Sequence, residues 1–314
     1  MPGARTALFS RRQVGGVFNI VSIKDTPGDV FFVHSGTGSD ASGYGYNPDK
    51  PVATIDYAIG LCTASKGDTI YVLPGHAESI IAAAGIVCDV AGVTIIGLGE
   101  GPLRPTISFT TDTLADINID AANVTIKNIR FVCGMAALAA PIDVNAAGFT
   151  MLDCDFYVSA AAAHPLIVVL TDANANHMTI RRCSFNLEYD IATTSLIVTT
   201  ARTVAIRLVG ADFAIIEDCY ISGNFTVACI DSLTTACRDI RIQRNKLRNV
   251  QTTNIAGIID LVAATTGVVA ENSGFHGYVT DIATVIDPAS CAMVANYFSN
   301  VVTETGGLVG TPST

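Results

Sequence analysis

Four carboxylates are the residues best placed to do chemistry: Asp153, Asp155, Glu217 and Asp218 fall in two copies of a short repeated motif, with Arg181 and Arg182 in the copy between them. Two carboxylates facing one sugar are what glycoside hydrolysis needs, one as acid and one as base or nucleophile. A lyase would instead need carboxylates for a divalent cation and an Arg or Lys base. The same residues alternate with apolar ones, however, as an outward, solvated face does. Opposite charges on neighbouring strands stabilise such a face by roughly 0.2–1 kcal/mol per pair. The pattern favours this architectural role, and no catalytic residue is expected.

Other candidates are sparser. Asp143, Asp231, Asp260 and Asp287 recur once per repeat and are expected to satisfy corners. His34, His76, His164, His177 and His276 are scattered, and the nine cysteines form no CxxC pair. No metal or cofactor is therefore expected, and the thiols read as reduced, buried small hydrophobes.

Those residues need elements to hold them, and the composition describes the elements. Of 314 residues, 50% are apolar and only 15% charged, with no Trp. No apolar stretch reaches the roughly 18 residues of a membrane-spanning helix. The first 24 residues carry Arg5, Arg11, Arg12 and Lys24 among apolar ones, so a cleaved signal peptide is not expected either. A net charge of −10 disfavours nucleic acid as a partner, because such binding rests on Lys and Arg against phosphate.

The repeat is the strongest signal. An apolar residue, a spacer of polar or small residues around one middle residue, and a closing apolar or aromatic residue recur seven times. The copies start at Ile126, Met151, Ile180, Ile216, Ile242, Val269 and Met293, with an earlier copy at Ile95; the sixth ends on Gly274 instead of a large residue. Successive starts lie 25, 29, 36, 26, 27 and 24 residues apart, which suits coils that keep their strands and vary their loops. Each copy follows a second alternating stretch, such as Ile117/Ile119, Ile142/Val144 and Ile167/Val169, so two or three strands per coil are expected. The longest gap, after Ile180, predicts a loop or hairpin leaving the stack.

Parallel coils place each residue about 4.8 Å from its equivalent. The middle positions then form one column of Ile129, Cys154, Cys183, Cys219, Asn245, Asn272 and Asn296. Stacked buried asparagines can meet each other's hydrogen-bonding needs, so this column is expected to be a structural ladder.

Upstream of the repeat, the order FFVHSGTGSD, then NPDKPVATIDYAI, then KGDTIYVLPG describes a strand, a Gly-rich loop, a short helix with Ile55, Ile59 and Cys62 on one face, and a second strand. The Gly-rich loop lacks the GxGxxG or Lys-Ser/Thr of nucleotide sites. This order resembles the opening of the pectin-lyase-like right-handed parallel β-helix superfamily, most of all bacteriophage virion β-helix proteins and tailspikes. The resemblance implies an all-β, right-handed parallel β-helix solenoid whose short N-terminal helix caps the first coil. It divides the chain into an anchoring arm (1–29), a cap (30–75), coils (76–300) and a tail (301–314). The arm mixes Phe9, Phe18 and Ile20 with Arg11 and Arg12, apolar anchors and cations that suit docking on a neighbouring surface. The GHG and RxK signatures of polygalacturonase-type relatives are missing.

The resulting expectation is a structural virion protein of a tailed bacteriophage, a capsid decoration (cement) protein or head fibre. It would be a homotrimer assembled in the host cytoplasm, bound through the arm to capsid or other virion proteins, with no membrane partner. The alternative is a tailspike-like protein that binds or degrades bacterial surface polysaccharide, with Asp153, Asp155, Glu217 and Asp218 as its catalytic candidates.

Overall fold

The computed structural model describes residues 9–11, 18–20, 28–160, 163–190, 201–252, 257–277, 285–300 and 307–309. They form a parallel β-solenoid of about eight turns with three sheets running its length. Each full coil passes through the sheets in order, as in Thr150–Leu152 of sheet one, Asp155–Val158 of sheet two and Ile167–Thr171 of sheet three. Sheet one runs from Val30–Val33 to Ala292–Val294, and sheet three from Ile86–Cys88 to Ile286–Asp287. Sheet two runs from Ala77–Ile80 to Asn296–Asn300 and ends with the antiparallel strand Gly307–Val309.

Strand pairing aligns Ile95, Ile126, Met151, Ile180, Ile216, Ile242, Val269 and Met293 in sheet one, so the eight motif copies share one register. In sheet three the register differs by two residues from the expected alternation. Val169 and Thr171, not Ile167 and Val169, align with Ile142 and Val144 and are buried. The long excursion after Ile180 is taken up partly by the seven-residue strand Ser184–Asp190, and residues 191–200 lie outside the described residues.

Getting from sheet one to sheet two within two residues requires one residue in the left-handed region. Asn128, Asp153, Arg182, Asp218, Arg244, Glu271 and Ala295 all adopt it, with φ between 49° and 56°. The middle residue of each motif follows and turns inward. Asn245, Asn272 and Asn296 are buried and linked: the Asn245 N–H and Nδ2 both donate to Asn272 Oδ1 at 3.0 Å, and the Asn272 Nδ2 donates to Asn296 Oδ1 at 3.0 Å. Each amide also donates to the first motif residue one coil back, as Asn272 Nδ2 does to the Ile242 carbonyl at 2.9 Å. The thiols of Cys183 and Cys219 point at the equivalent carbonyls of Met151 and Ile180, at 3.6 and 3.7 Å. Asn245 Oδ1 joins the two halves by accepting the Cys219 N–H at 2.9 Å.

Beside this column the closing motif positions stack Phe131 on Phe156 and Phe156 on Phe185, with ring centroids 4.8 and 4.7 Å apart. Gly274 breaks the run for a steric reason: a Cβ there would lie 1.6 Å from the Leu247 carbonyl oxygen.

At the N-terminal end the helix Ile55–Leu61 buries Ile55, Ala58 and Ile59. Ile55 lines the same small interior cavity as Ile86, Cys88 and Ile95. Glu78 Oε2 accepts the Ile55 N–H at 3.1 Å and bonds buried His76 Nε2 at 3.0 Å. His76 Nδ1 accepts the Ser35 N–H at 3.0 Å, which leaves the ring proton on Nε2, facing Glu78.

Two stability outcomes follow from the interior columns. Asn272→Leu removes the acceptor of two Asn245 donors and is expected to cost on the order of 2–4 kcal/mol. Asn272→Cys, which restores the residue type found three coils earlier, should cost less; equal melting temperatures for the two variants would rule out the ladder as a source of stability. Gly274→Ala should cost more than the roughly 1–3 kcal/mol of ordinary overpacking, because the clash is with backbone, and chemical denaturation measures it.

Candidate functional site

The corner between sheets one and two gathers the carboxylates singled out by the motif, each held by arginine. Asp153 takes two bonds from Arg182, at 2.7 and 3.1 Å, and Asp218 two from Arg244, at 2.8 and 3.2 Å. Asp155 pairs with Arg104 and lies 3.8 Å from Arg130 Nη2. Glu217 pairs with Arg181 and accepts from Gln243 Nε2 at 2.6 Å and Arg244 Nη2 at 2.7 Å.

Glu217 departs from the expected solvated face. It is 4% exposed, because arginines from the coils on both sides close over it. Hydrogen bonds from Arg182 and Arg244 hold the Asp153 and Asp218 carboxyls below their ordinary range. A general acid must keep its proton near neutral pH, and these two do the reverse.

Sheet three carries a different column. Pairing aligns Asp143, Leu170, Arg207, Asp231, Asp260 and Asp287 on successive strands. Asp143 sits within its strand, between Ile142 and Val144, whereas Asp231, Asp260 and Asp287 are the last residues of theirs, where the chain leaves the sheet. Asp231 is buried and gripped by Arg207 through Nε at 3.0 Å and Nη2 at 2.6 Å. Asp260 is half-buried between Asp231 and exposed Asp287. Burial first, then the charges of Asp287 and Asp231, lift the Asp260 carboxyl above its usual range. Burial also lifts Asp231, against the pull of Arg207. Asp287 Oδ1 accepts the Ala289 N–H at 3.0 Å, which fixes its orientation.

A carboxyl raised above its ordinary range beside a second carboxyl is an arrangement that acid–base catalysis uses. Equivalent residues on adjacent strands stand about 4.8 Å apart, close to the roughly 5 Å between the two carboxyls of retaining glycosidases. The signal for this site lay in the dipeptide Ile-Asp, repeated at 142, 230, 259 and 286.

The remaining candidates are not brought to either face. Cys154, Cys183, Cys219, Asn245, Asn272 and Asn296 all lie in the interior column. Burial first, and then Cys154 and Cys219 on either side, push the Cys183 thiol up, away from nucleophilic thiolate. Phe9–Arg11 and Phe18–Ile20 form a two-stranded antiparallel sheet separate from the other three, and Arg12 lies outside the described residues.

No family model matches this sequence, and no curated protein does. Solved structures do. The chain is similar to a rhamnogalacturonan lyase with a TM-score of 0.54 and 13% identity, over 86% of this chain and 74% of that one. It is also similar to the GH136 lacto-N-biosidase from Eubacterium ramulus, with a TM-score of 0.45 and 8% identity, over 87% of this chain and 68% of that one. At such identities the likeness is one of fold: a parallel β-helix like that of the rhamnogalacturonan lyase.

The two sets of carboxyls give opposite pH dependences. Asp143, Asp231 and Asp260, with folded values raised, oppose folding at neutral pH, and this is relieved as pH falls toward the ordinary value of about 4. Asp153 and Asp218, with folded values depressed, stabilise above that value and lose their contribution as pH falls through the depressed ones. The melting temperature is expected to rise as pH drops from neutral and to fall below about pH 4. Asp143→Asn with Asp260→Asn should flatten the rise, and Asp153→Asn with Asp218→Asn the fall, in melts followed by circular dichroism.

Proposed function

We propose that the protein acts on a polysaccharide laid across the outer face of sheet three. The observation that carries this reading is the position of Asp260, half-buried between Arg207-bound Asp231 and exposed Asp287, where its carboxyl is raised above the ordinary range. The β-helix fold shared with a rhamnogalacturonan lyase supports a glycan as substrate. Asp260 gives its proton to the glycosidic oxygen as the bond to the anomeric carbon breaks. The Asp287 carboxylate attacks that carbon from the opposite side. Water, deprotonated by Asp260, then releases the sugar and returns Asp287 to its carboxylate form. Asp231 touches no substrate in this scheme; with Arg207 it sets the field around Asp260. The helix Ile55–Leu61 serves as the N-terminal cap of the solenoid in the same reading.

Turnover is tested by incubating the full chain with rhamnogalacturonan and a panel of bacterial capsular polysaccharides, scoring reducing ends against unsaturated products. Asp260→Asn and Asp287→Asn should each lower kcat by about 100- to 10,000-fold. Asp155→Ala and Glu217→Ala should lower the melting temperature and leave kcat near that of the parent. Undiminished turnover by Asp260→Asn would sink the assignment. Glycan binding with no reducing ends would reduce it to a polysaccharide-binding role.

A second reading, a structural phage virion protein, keeps one observation in its favour: the sheet of Phe9–Arg11 and Phe18–Ile20 is separate from the solenoid, as an anchoring element would be. In that reading a homotrimer docks on a capsid through residues 1–29. Deleting them should abolish particle binding; retention of binding by the truncated chain would exclude the arm.

A further inference from the structure

Sheet three gathers negative charge along its whole outer face. One outward position per strand carries, in order along the axis, Asn118, Asp143, Leu170, Arg207, Asp231, Asp260 and Asp287. At one strand spacing per coil this column is roughly 30 Å long. Asp116 directly precedes the strand Ile117–Ile119, and Asp89, Asp120 and Asp172 directly follow the strands Ile86–Cys88, Ile117–Ile119 and Ile167–Thr171. Eight carboxylates thus border one face, in a chain whose net charge is −10.

Cations do not balance them. Arg207 is the single cation at these positions, and Asp231 already holds it through bonds at 3.0, 3.1 and 2.6 Å. The other cation in the described strands of this sheet, Arg202, is buried at the far end of the Arg207 strand, with Glu188 near it. Among the described residues, Asp89, Asp116, Asp120, Asp143, Asp172, Asp260 and Asp287 make no ion pair. Burial first, and then neighbouring carboxyls, hold Asp116, Asp143 and Asp260 above their ordinary range. Positive charge laid on this face offsets that repulsion.

Spacing decides the form of that charge. Among the described residues no three carboxylates converge as metal ligands do; they are strung along the axis instead. Such a row suits a chain carrying charge at intervals better than a single ion. An acidic glycan is turned away, because its anions would meet seven unpaired carboxylates and one arginine already taken. An ammonium brings three donors and no acceptor, and a carboxylate takes them as short, charge-assisted hydrogen bonds.

Resting on the reading that sheet three acts on a polysaccharide, we propose that this polysaccharide is built of amino sugars with free, unacetylated amines and lies along the solenoid axis. Its ammonium groups sit on Asp116, Asp143 and Asp172, and half-buried Leu170 meets the apolar face of a sugar ring beside them. The stretch beyond Arg207 is thereby delivered to Asp260 and Asp287.

The test uses the full chain and four oligomers of equal length: glucosamine with free amines, its N-acetylated form, galacturonate and, as a peptide of like charge, lysine. Calorimetric titration should show the free-amine sugar binding at least roughly tenfold more tightly than the acetylated one, with affinity falling at high salt, and no binding of galacturonate. Asp116→Asn combined with Asp143→Asn should weaken the free-amine sugar roughly ten- to hundredfold and leave the acetylated one unaffected. Both changes remove a carboxylate that burial already disfavours, so the variant stays folded, which its melting temperature at neutral pH checks. Equal affinity for the acetylated sugar, binding of galacturonate, or unchanged affinity in the double variant overturns the inference, and so does lysine binding as tightly as the free-amine sugar. If one of those results comes with turnover of another glycan that Asp260→Asn abolishes, amine recognition is wrong and the catalytic reading stands. If the double variant loses affinity in a protein that cleaves none of the sugars, amine recognition stands and the catalytic reading falls.

Discussion

Everything in this molecule follows from one constraint: coils stacked at a single strand spacing place each residue directly on its equivalents above and below. Inside the solenoid no water can answer a polar group, so a buried amide must find its partner in the next coil. The chain from Cys219 through Asn245 and Asn272 to Asn296 is that solution, with each Oδ1 taking donors from the coil before. A residue that fits one coil and not its neighbour is felt immediately, as the contact between Gly274 and the Leu247 carbonyl illustrates.

Outside the solenoid the same stacking turns charge into columns, and the two columns are arranged in opposite ways. At the corner of sheets one and two the left-handed residues alternate in sign, Asp153, Arg182, Asp218 and Arg244, and neutralise one another. On sheet three Asp231, Asp260 and Asp287 follow each other with Arg207 at one end only. Repeated like charges at strand spacing are destabilising. A stack that tolerates them on one face, while balancing charge on another, is the contrast on which the proposed function rests.

The corners show the same contrast between regular architecture and local departure. A two-residue corner requires a left-handed residue, which non-glycine side chains adopt at a cost of about 1–2 kcal/mol, and Arg182, Arg244 and Glu271 adopt it here. Where residues 98–105 replace this corner, the backbone leaves the stack and Arg104 ties it down again. Loops carried by a rigid repeat can change without disturbing the core.

The sequence by itself determined the repeat, the coil register and the interior ladder, because burial imposes an apolar period and stacking forces like onto like. Ile126, Met151 and Ile180 could be aligned from their spacing alone, and so could Cys154, Cys183 and Cys219. It did not determine what the outward residues do. Asp218 and Glu217 are neighbours in the chain, yet one lies in the left-handed corner and the other is enclosed by arginines from two further coils. The Ile-Asp dipeptides were equally visible, but whether an aspartate ends a strand or sits within it depends on where each strand begins, and variable loops hide that. Tertiary structure alone decided which carboxylates meet arginine and which meet each other, because those encounters join residues more than twenty positions apart, across coils whose lengths differ.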